Sequence, residues 1–191
     1  TKWNLTRFAE CLIPLISKNE DEAIKLVTEA LDKFEKNYET KWLNMMRDKL
    51  GLYGEDKDDK DLIFELLNWM QKHKADYTNT FIFLMQKVIK SSEVYNNKEF
   101  DLWKIKWMKR LTLFGSTHHK SMELMSSSNP MIIPRNHKIE EALTLANQGD
   151  LTLFNKLIKI LSNPYKANKI DLEFMSSPPH SDRQYQTFCG T

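Results

Sequence analysis

Few residues in this sequence have the type and spacing to do chemistry. Cys189 stands third from the end, in TFCGT. On an exposed tail its thiol would be open to oxidation or pairing, so it is the candidate redox residue. The other cysteine, Cys11, lies beside Leu12 on an apolar flank, where a buried and inert thiol is expected. Two cysteines are too few for a disulfide scaffold. The histidines, His73, His118, His119, His137 and His180, do not form a zinc pattern. Neighbouring histidines on a helix point about 100° apart, and neither CxxC nor HExxH occurs.

The stretch GEDKDDKDLIFE starts like a calcium loop and then departs from it. Counted from Asp56, the sixth position is Asp61 where glycine is needed, and the twelfth is Leu67 where glutamate is needed. It reads as a solvated loop whose carboxylates favour the start of the next helix. The chain carries no G-x-G-x-x-G, no phosphate-binding loop and no G-x-S-x-G, so no catalytic or cofactor-binding residue is assigned within it.

One basic residue stands out. In NPMIIPRNHKIEEAL, residues 129 to 143, Pro134 fixes φ and drives Ile133 into an extended shape. Asn136 or His137 can cap the helix that follows, and Glu140 and Glu141 suit its positive end. Nothing local uses Arg135. An arginine there is either solvated or forms a two-pronged clamp on a distant carboxylate. Arg135 and Asn136 are therefore the clamp and cap candidates.

These residues must be positioned by helices. Leu5, Phe8, Ala9, Leu12 and Ile16 form a first stripe, with Asn4 as its cap and Pro14 to kink or end it. A long helix follows Asn19, with Val27, Leu31, Phe34, Tyr38, Trp42 and Met45 forming its stripe and Gly51 as its stop. A third carries Leu62, Leu66, Leu67 and Met70. A fourth follows Asp76-Tyr77-Thr78, with Phe81, Leu84, Met85 and Val88. A fifth is capped by Asn97, with Phe100, Trp103, Trp107 and Leu111 on one face. Those tryptophans read as core, although the lysines around them resemble a base-stacking surface. A short sixth helix covers Lys120 to Met125. A seventh follows Asn136 and stops at Gly149. An eighth is capped by Asp150, with Leu151, Phe154, Leu157, Ile158 and Leu161. The expectation is an all-α, irregular bundle of about eight helices over 1–163 and an extended tail over 164–191.

Composition agrees with that class. The 191 residues include five glycines and six prolines, too few for the many turns of an all-β fold. The net charge of +2 gives no case for nucleic acid, and no apolar run approaches the ~20 residues that span a bilayer. The chain lacks an initiator methionine, and helical pattern begins by residue 3. The expectation is a piece of a longer protein.

The residues, taken in order, resemble the selenoprotein O family of protein adenylyltransferases, which are AMPylating pseudokinases. The resemblance runs through WNLTRFAECLIPLI at 3–16, KLGL at 49–52, DLIFELLNWM at 61–70 and DYT at 76–78. It continues through Trp103, Arg110-Leu111, NPMIIPRNHKIEEAL, GD at 149–150, NPY at 163–165, Pro178-Pro179 and the closing YQTFCGT. PRNH followed by EEAL, and FCGT, are its most specific pieces.

The resemblance implies the C-terminal part of a kinase-like protein that moves AMP from ATP, with magnesium, to Ser, Thr or Tyr hydroxyls of other proteins. The nucleotide- and metal-handling residues would lie before the WNL segment. This piece alone would then be inactive, without cofactor or metal, and its partner would be the missing kinase-like lobe. Cys189 matches the family's C-terminal redox position, cysteine or selenocysteine, whose pairing partner would lie outside this chain. The location implied is cytoplasmic for a bacterial source and mitochondrial for eukaryotic relatives, with neither membrane nor nucleic acid bound. Separation from the lobe should expose apolar surface around Phe8, Leu12 and Leu15. The competing reading is a stand-alone helical protein-interaction module, whose nine methionines and many aromatics could line a groove for a partner helix.

Overall fold

The computed structural model describes residues 2–85, 93–166 and 173–176. Among them the fold is all-α, with eight α-helices and no strand. The chain divides into two compact units, Thr1–Asp48 and Lys49–Thr191.

The first unit holds α1 (Lys2–Ile16) and most of α2 (Glu20–Lys49). The three-residue link turns sharply because Asn19 caps α2, its Oδ1 accepting from Glu22 N at 3.2 Å, while Ser17 Oγ donates to Glu22 Oε2 at 2.8 Å. At the far end of α1, Lys2 Nζ reaches Glu35 Oε2 at 3.1 Å, so the two helices run antiparallel. The helix starts at Lys2, so Asn4 is inside its first turn and is not the cap expected from sequence. Lys2 and Trp3 carry nothing that stops a helix, and the turn extends through them. Pro14 lies in the last turn, and α1 ends two residues later. Neither helix has much of a core: α1 buries no residue, and α2 buries only Ala23, Met46 and Arg47.

The second unit is built on α3 (Asp59–His73) and α5 (Lys98–Leu111), which pack side by side. Leu62, Leu66, Trp69 and Met70 face Phe100, Trp103, Trp107 and Leu111, all buried. Burying an indole without a partner for its N–H is costly. Here Trp103 Nε1 donates to Leu62 O at 2.8 Å and Trp107 Nε1 to Leu50 O at 2.9 Å. Both tryptophans are thus core, and neither is open to a stacked base. Phe83 stacks on Tyr95 at 4.1 Å, and Trp69 meets Phe100 at 4.5 Å. Asn97 caps α5 through Glu99 N and Phe100 N.

Around this pair sit α4 (Tyr77–Leu84), α6 (His118–Ser128), α7 (Asn136–Asn147) and α8 (Thr152–Leu161). Asp76 caps α4, accepting from Asn79 N at 2.8 Å. Gly51, with φ +70°, terminates α2 in the left-handed region that favours glycine. Gly149 does the same after α7 with φ +89°. The cap of α8 falls at Leu151, one residue later than expected, although Asp150 Oδ1 still accepts from Thr152 N at 2.8 Å. The α7–α8 pair buries Ala142 and Leu157. Leu143, Leu151, Phe154 and Ile158 are exposed.

Within the segment expected as an extended tail, residues 173–175 form a 3-10 turn with Phe174 and Met175 buried. Asn79 Nδ2 donates to Met175 O at 3.0 Å, and Lys156 pairs with Glu173 at 2.6 Å. Val88, Pro178, Pro179 and residues 177–191 generally lie outside the described residues. Among the described residues, no helix is long and apolar enough to cross a membrane.

Candidate functional site

Two of the side chains singled out by sequence, Arg135 and Asn136, stand at the entry to α7. Arg135 is 9% exposed. Its Nη1 donates to Asp76 Oδ2 at 2.7 Å and its Nη2 to Asp76 Oδ1 at 3.0 Å. A longer contact runs from Nη2 to Asn79 Oδ1 at 3.4 Å. The planar fork matches the carboxylate, which lysine could not do. Asp76 therefore serves two elements at once, capping α4 and anchoring the loop that starts α7.

The same geometry explains why Asn136 is not a cap. The cap position of α7 is Arg135, whose guanidinium only donates and cannot accept from the first-turn amides, so the helix has no side-chain cap bond. Asn136 is the first residue of the helix itself. His137, next along, is half-buried. Burial, then the nearby Lys138 and Arg135 charges, holds its imidazole below the usual histidine range, with Glu141 pulling the other way.

A second clamp, not assigned from sequence, joins α5 to α3. Arg110 Nε donates to Asp59 Oδ1 at 2.6 Å and Nη2 to Oδ2 at 3.2 Å. The remaining donors reach Tyr53 O at 3.0 Å and Gly54 O at 3.1 Å. Side-chain exposure is 6% for Arg110 and zero for Asp59. A signal was available: Arg110 follows Trp103 and Trp107 on one face, and Asp59 precedes Leu62 and Leu66 on another. A charge on a buried face demands a paired partner. Beside this clamp, Asp56, Asp58, Asp61 and Glu65 line an open cleft of about 510 Å³ with Lys106 and Lys109.

The other candidates are scattered. Cys11 is exposed, contrary to the buried site expected. It lies on the α1 face that also carries exposed Phe8 and Leu15, at 61% and 81%, and its Sγ donates to Arg7 O at 3.3 Å. The expected apolar surface is therefore present at Phe8 and Leu15, while Leu12 is half-buried. His73 stacks on Trp69 and meets Glu99 at 3.2 Å. His119 pairs with Glu123 at 3.4 Å, and His118 is exposed. Cys189 and His180 lie outside the described residues. Among the described residues, no three His, Cys, Asp or Glu side chains are grouped to hold a metal. Chemically, the two clamps can fix helices in register; they offer neither nucleophile nor base.

The family model described as protein adenylyltransferase SelO matches residues 1–162, and the chain belongs to that family. It is 81% identical over all 191 residues to protein nucleotidyltransferase YdiU of Pelagibacter ubique. It is 43% identical over 190 residues to the proteins of that name from Brevibacillus brevis and from Geobacillus kaustophilus, covering 99% of this chain. The chain spans only about 40% of the length of the curated relatives it matches.

Proposed function

We propose that this chain is the C-terminal helical region of a protein adenylyltransferase, a scaffold for a kinase-like lobe that lies outside these 191 residues. The complete polypeptide would transfer AMP from ATP to Ser, Thr or Tyr hydroxyls of protein substrates, with magnesium. The observation that carries this reading is the family match along residues 1–162 within relatives of which the chain covers about 40%.

In this reading the nucleotide and its metal belong to the lobe outside these 191 residues, and the described residues offer a metal no group of three acids, histidines or cysteines. Asp59, the most buried carboxylate among the described residues, is already gripped by Arg110, and the acids around it line an open cleft. Both clamps join helices to helices. No step of the transfer is therefore assigned to this chain. Its contribution is to hold α3, α4, α5 and α7 rigid beneath the lobe, and to carry Cys189 as a redox-capable thiol.

The test is transfer of labelled AMP. A polypeptide of the relatives' full length should label a protein acceptor, and the 191-residue chain should not. Labelling by the 191-residue chain, or tight binding of magnesium-ATP to it in a calorimeter, would overturn the proposal. Such a result would favour a stand-alone module with a site of its own.

A further inference from the structure

The first unit carries an apolar seam that runs on past the first turn of α1. Along α2, Val27, Leu31, Phe34, Tyr38, Trp42 and Met45 recur every three or four residues, the spacing of a helix-packing stripe. The Lys2–Glu35 ion pair places the first turn of α1 beside Glu35. Beyond that point α2 runs on for fourteen residues, to Lys49, past the start of α1. There Tyr38 is 58% exposed and Met45 46%. Together with Ala30, Phe34, Lys41 and Trp42 they line an open trough of about 590 Å³. A helix of 30 residues that buries only Ala23, Met46 and Arg47 gains little from packing. Propensity alone rarely stabilises a helix in water.

We infer that this trough seats an amphipathic helix from the same polypeptide, supplied by the part that lies outside these 191 residues. The inference rests on the reading above, that the chain is one part of a longer adenylyltransferase. Two observations favour this occupant over a free partner. Relatives at 81% and 43% identity extend well beyond the match, which takes up only 40% and 39% of their length. The trough runs from Ala30 to Met45, about 22 Å of helix at 1.5 Å per residue. A seam that short offers one helix-helix contact, well under the roughly 1,200 Å² of a stable interface between separate chains. A tethered helix avoids the entropy loss of association and can settle on a small surface. Whatever its source, the occupant meets Lys41 on the lining, which calls for a carboxylate opposite it. The incoming helix should carry apolar residues at i, i+3 or i+4, and i+7, with one Asp or Glu placed to meet Lys41.

Amide hydrogen exchange in residues 30–45 tests this, compared between the 191-residue chain and a polypeptide of the relatives' full length. The expected result is exchange at least ~10-fold slower in the longer polypeptide. Tyr38→Asp should abolish that protection there while leaving the circular dichroism of the 191-residue chain unchanged, and Tyr38→Phe should retain it. Equal exchange in the two polypeptides overturns the inference. So does protection that appears in the 191-residue chain as concentration rises, with a dimer in sedimentation, because the occupant is then a second copy. AMP transfer measured on the same longer polypeptide separates the two claims. Protection without transfer sinks the adenylyltransferase reading and keeps the trough assignment; transfer without protection does the reverse.

Discussion

Arg135 holds Asp76 across 59 positions of sequence, with both terminal nitrogens on both carboxylate oxygens at 2.7 and 3.0 Å. The pair ties the loop before α7 to the cap of α4, and Asn79 of α4 in turn holds Met175 O. One ion pair therefore organises three stretches of chain that are distant in sequence.

Removing the cation should be costly. Arg135→Ala leaves a carboxylate with 19% side-chain exposure facing an emptied site, and breaking a pair of this kind costs about 3–5 kcal/mol. Arg135→Lys should recover only part of it, because an ammonium cannot bridge both oxygens. Urea unfolding of the three proteins measures the difference; equal midpoints for wild type and Arg135→Ala would show that the clamp contributes nothing.

The Arg110–Asp59 pair is the more deeply buried of the two, so Arg110→Ala should also destabilise by about 3–5 kcal/mol. Exchanging both partners for apolar residues should not restore full stability. Arg110 also satisfies Tyr53 O and Gly54 O, and those carbonyls would lose their donors. A double-mutant cycle on Asp59 and Arg110, read by thermal unfolding, tests this.

Two glycines with nearly the same φ separate strain from crowding. A Cβ at Gly51, φ +70°, would sit 2.7 Å from Ser121 O, whereas one at Gly115, φ +66°, would meet nothing within 4 Å. Gly115→Ala should cost only the left-handed penalty, about 1–2 kcal/mol. Gly51→Ala should cost clearly more, since a backbone carbonyl must move as well. Melting temperatures of the two variants give the comparison.

His137 should make stability depend on pH. Its folded pKa lies below the ordinary 6.5, mainly through burial. Between the two values the unfolded chain binds more protons, so stability is fully present above pH 6.5 and falls as the pH drops through the lowered folded value. His137→Gln should flatten the unfolding free energy between pH 7 and 5. A slope unchanged by the substitution would assign it to other groups.

Much of the secondary structure was legible because the signals are local. The stripe Phe100, Trp103, Trp107 and Leu111 gives α5 its period, and Asn97 gives its start. Gly51 and Gly149 mark ends because a left-handed residue there needs no partner elsewhere. Errors were small where only the cap moved, as at Asn4 and Asp150. They were larger where burial was inferred from helical face alone. Cys11 and the α8 residues Leu151, Phe154 and Ile158 lie on apolar faces, yet they are exposed. Amphipathicity says that a face can be buried; whether anything covers it depends on the neighbours.

The sequence by itself determined the helical class, the order of the helices, most of their ends and the family resemblance. All of these depend on residues within a few positions of one another, or on identities along the chain. Only the tertiary structure decided that Arg135 meets Asp76, that Arg110 meets Asp59 and that Met175 closes onto Asn79. A buried charge announces that it needs a partner. Which of many carboxylates supplies it is set by the packing of helices dozens of residues apart, and that packing is a sum over the whole core rather than a property of any short stretch.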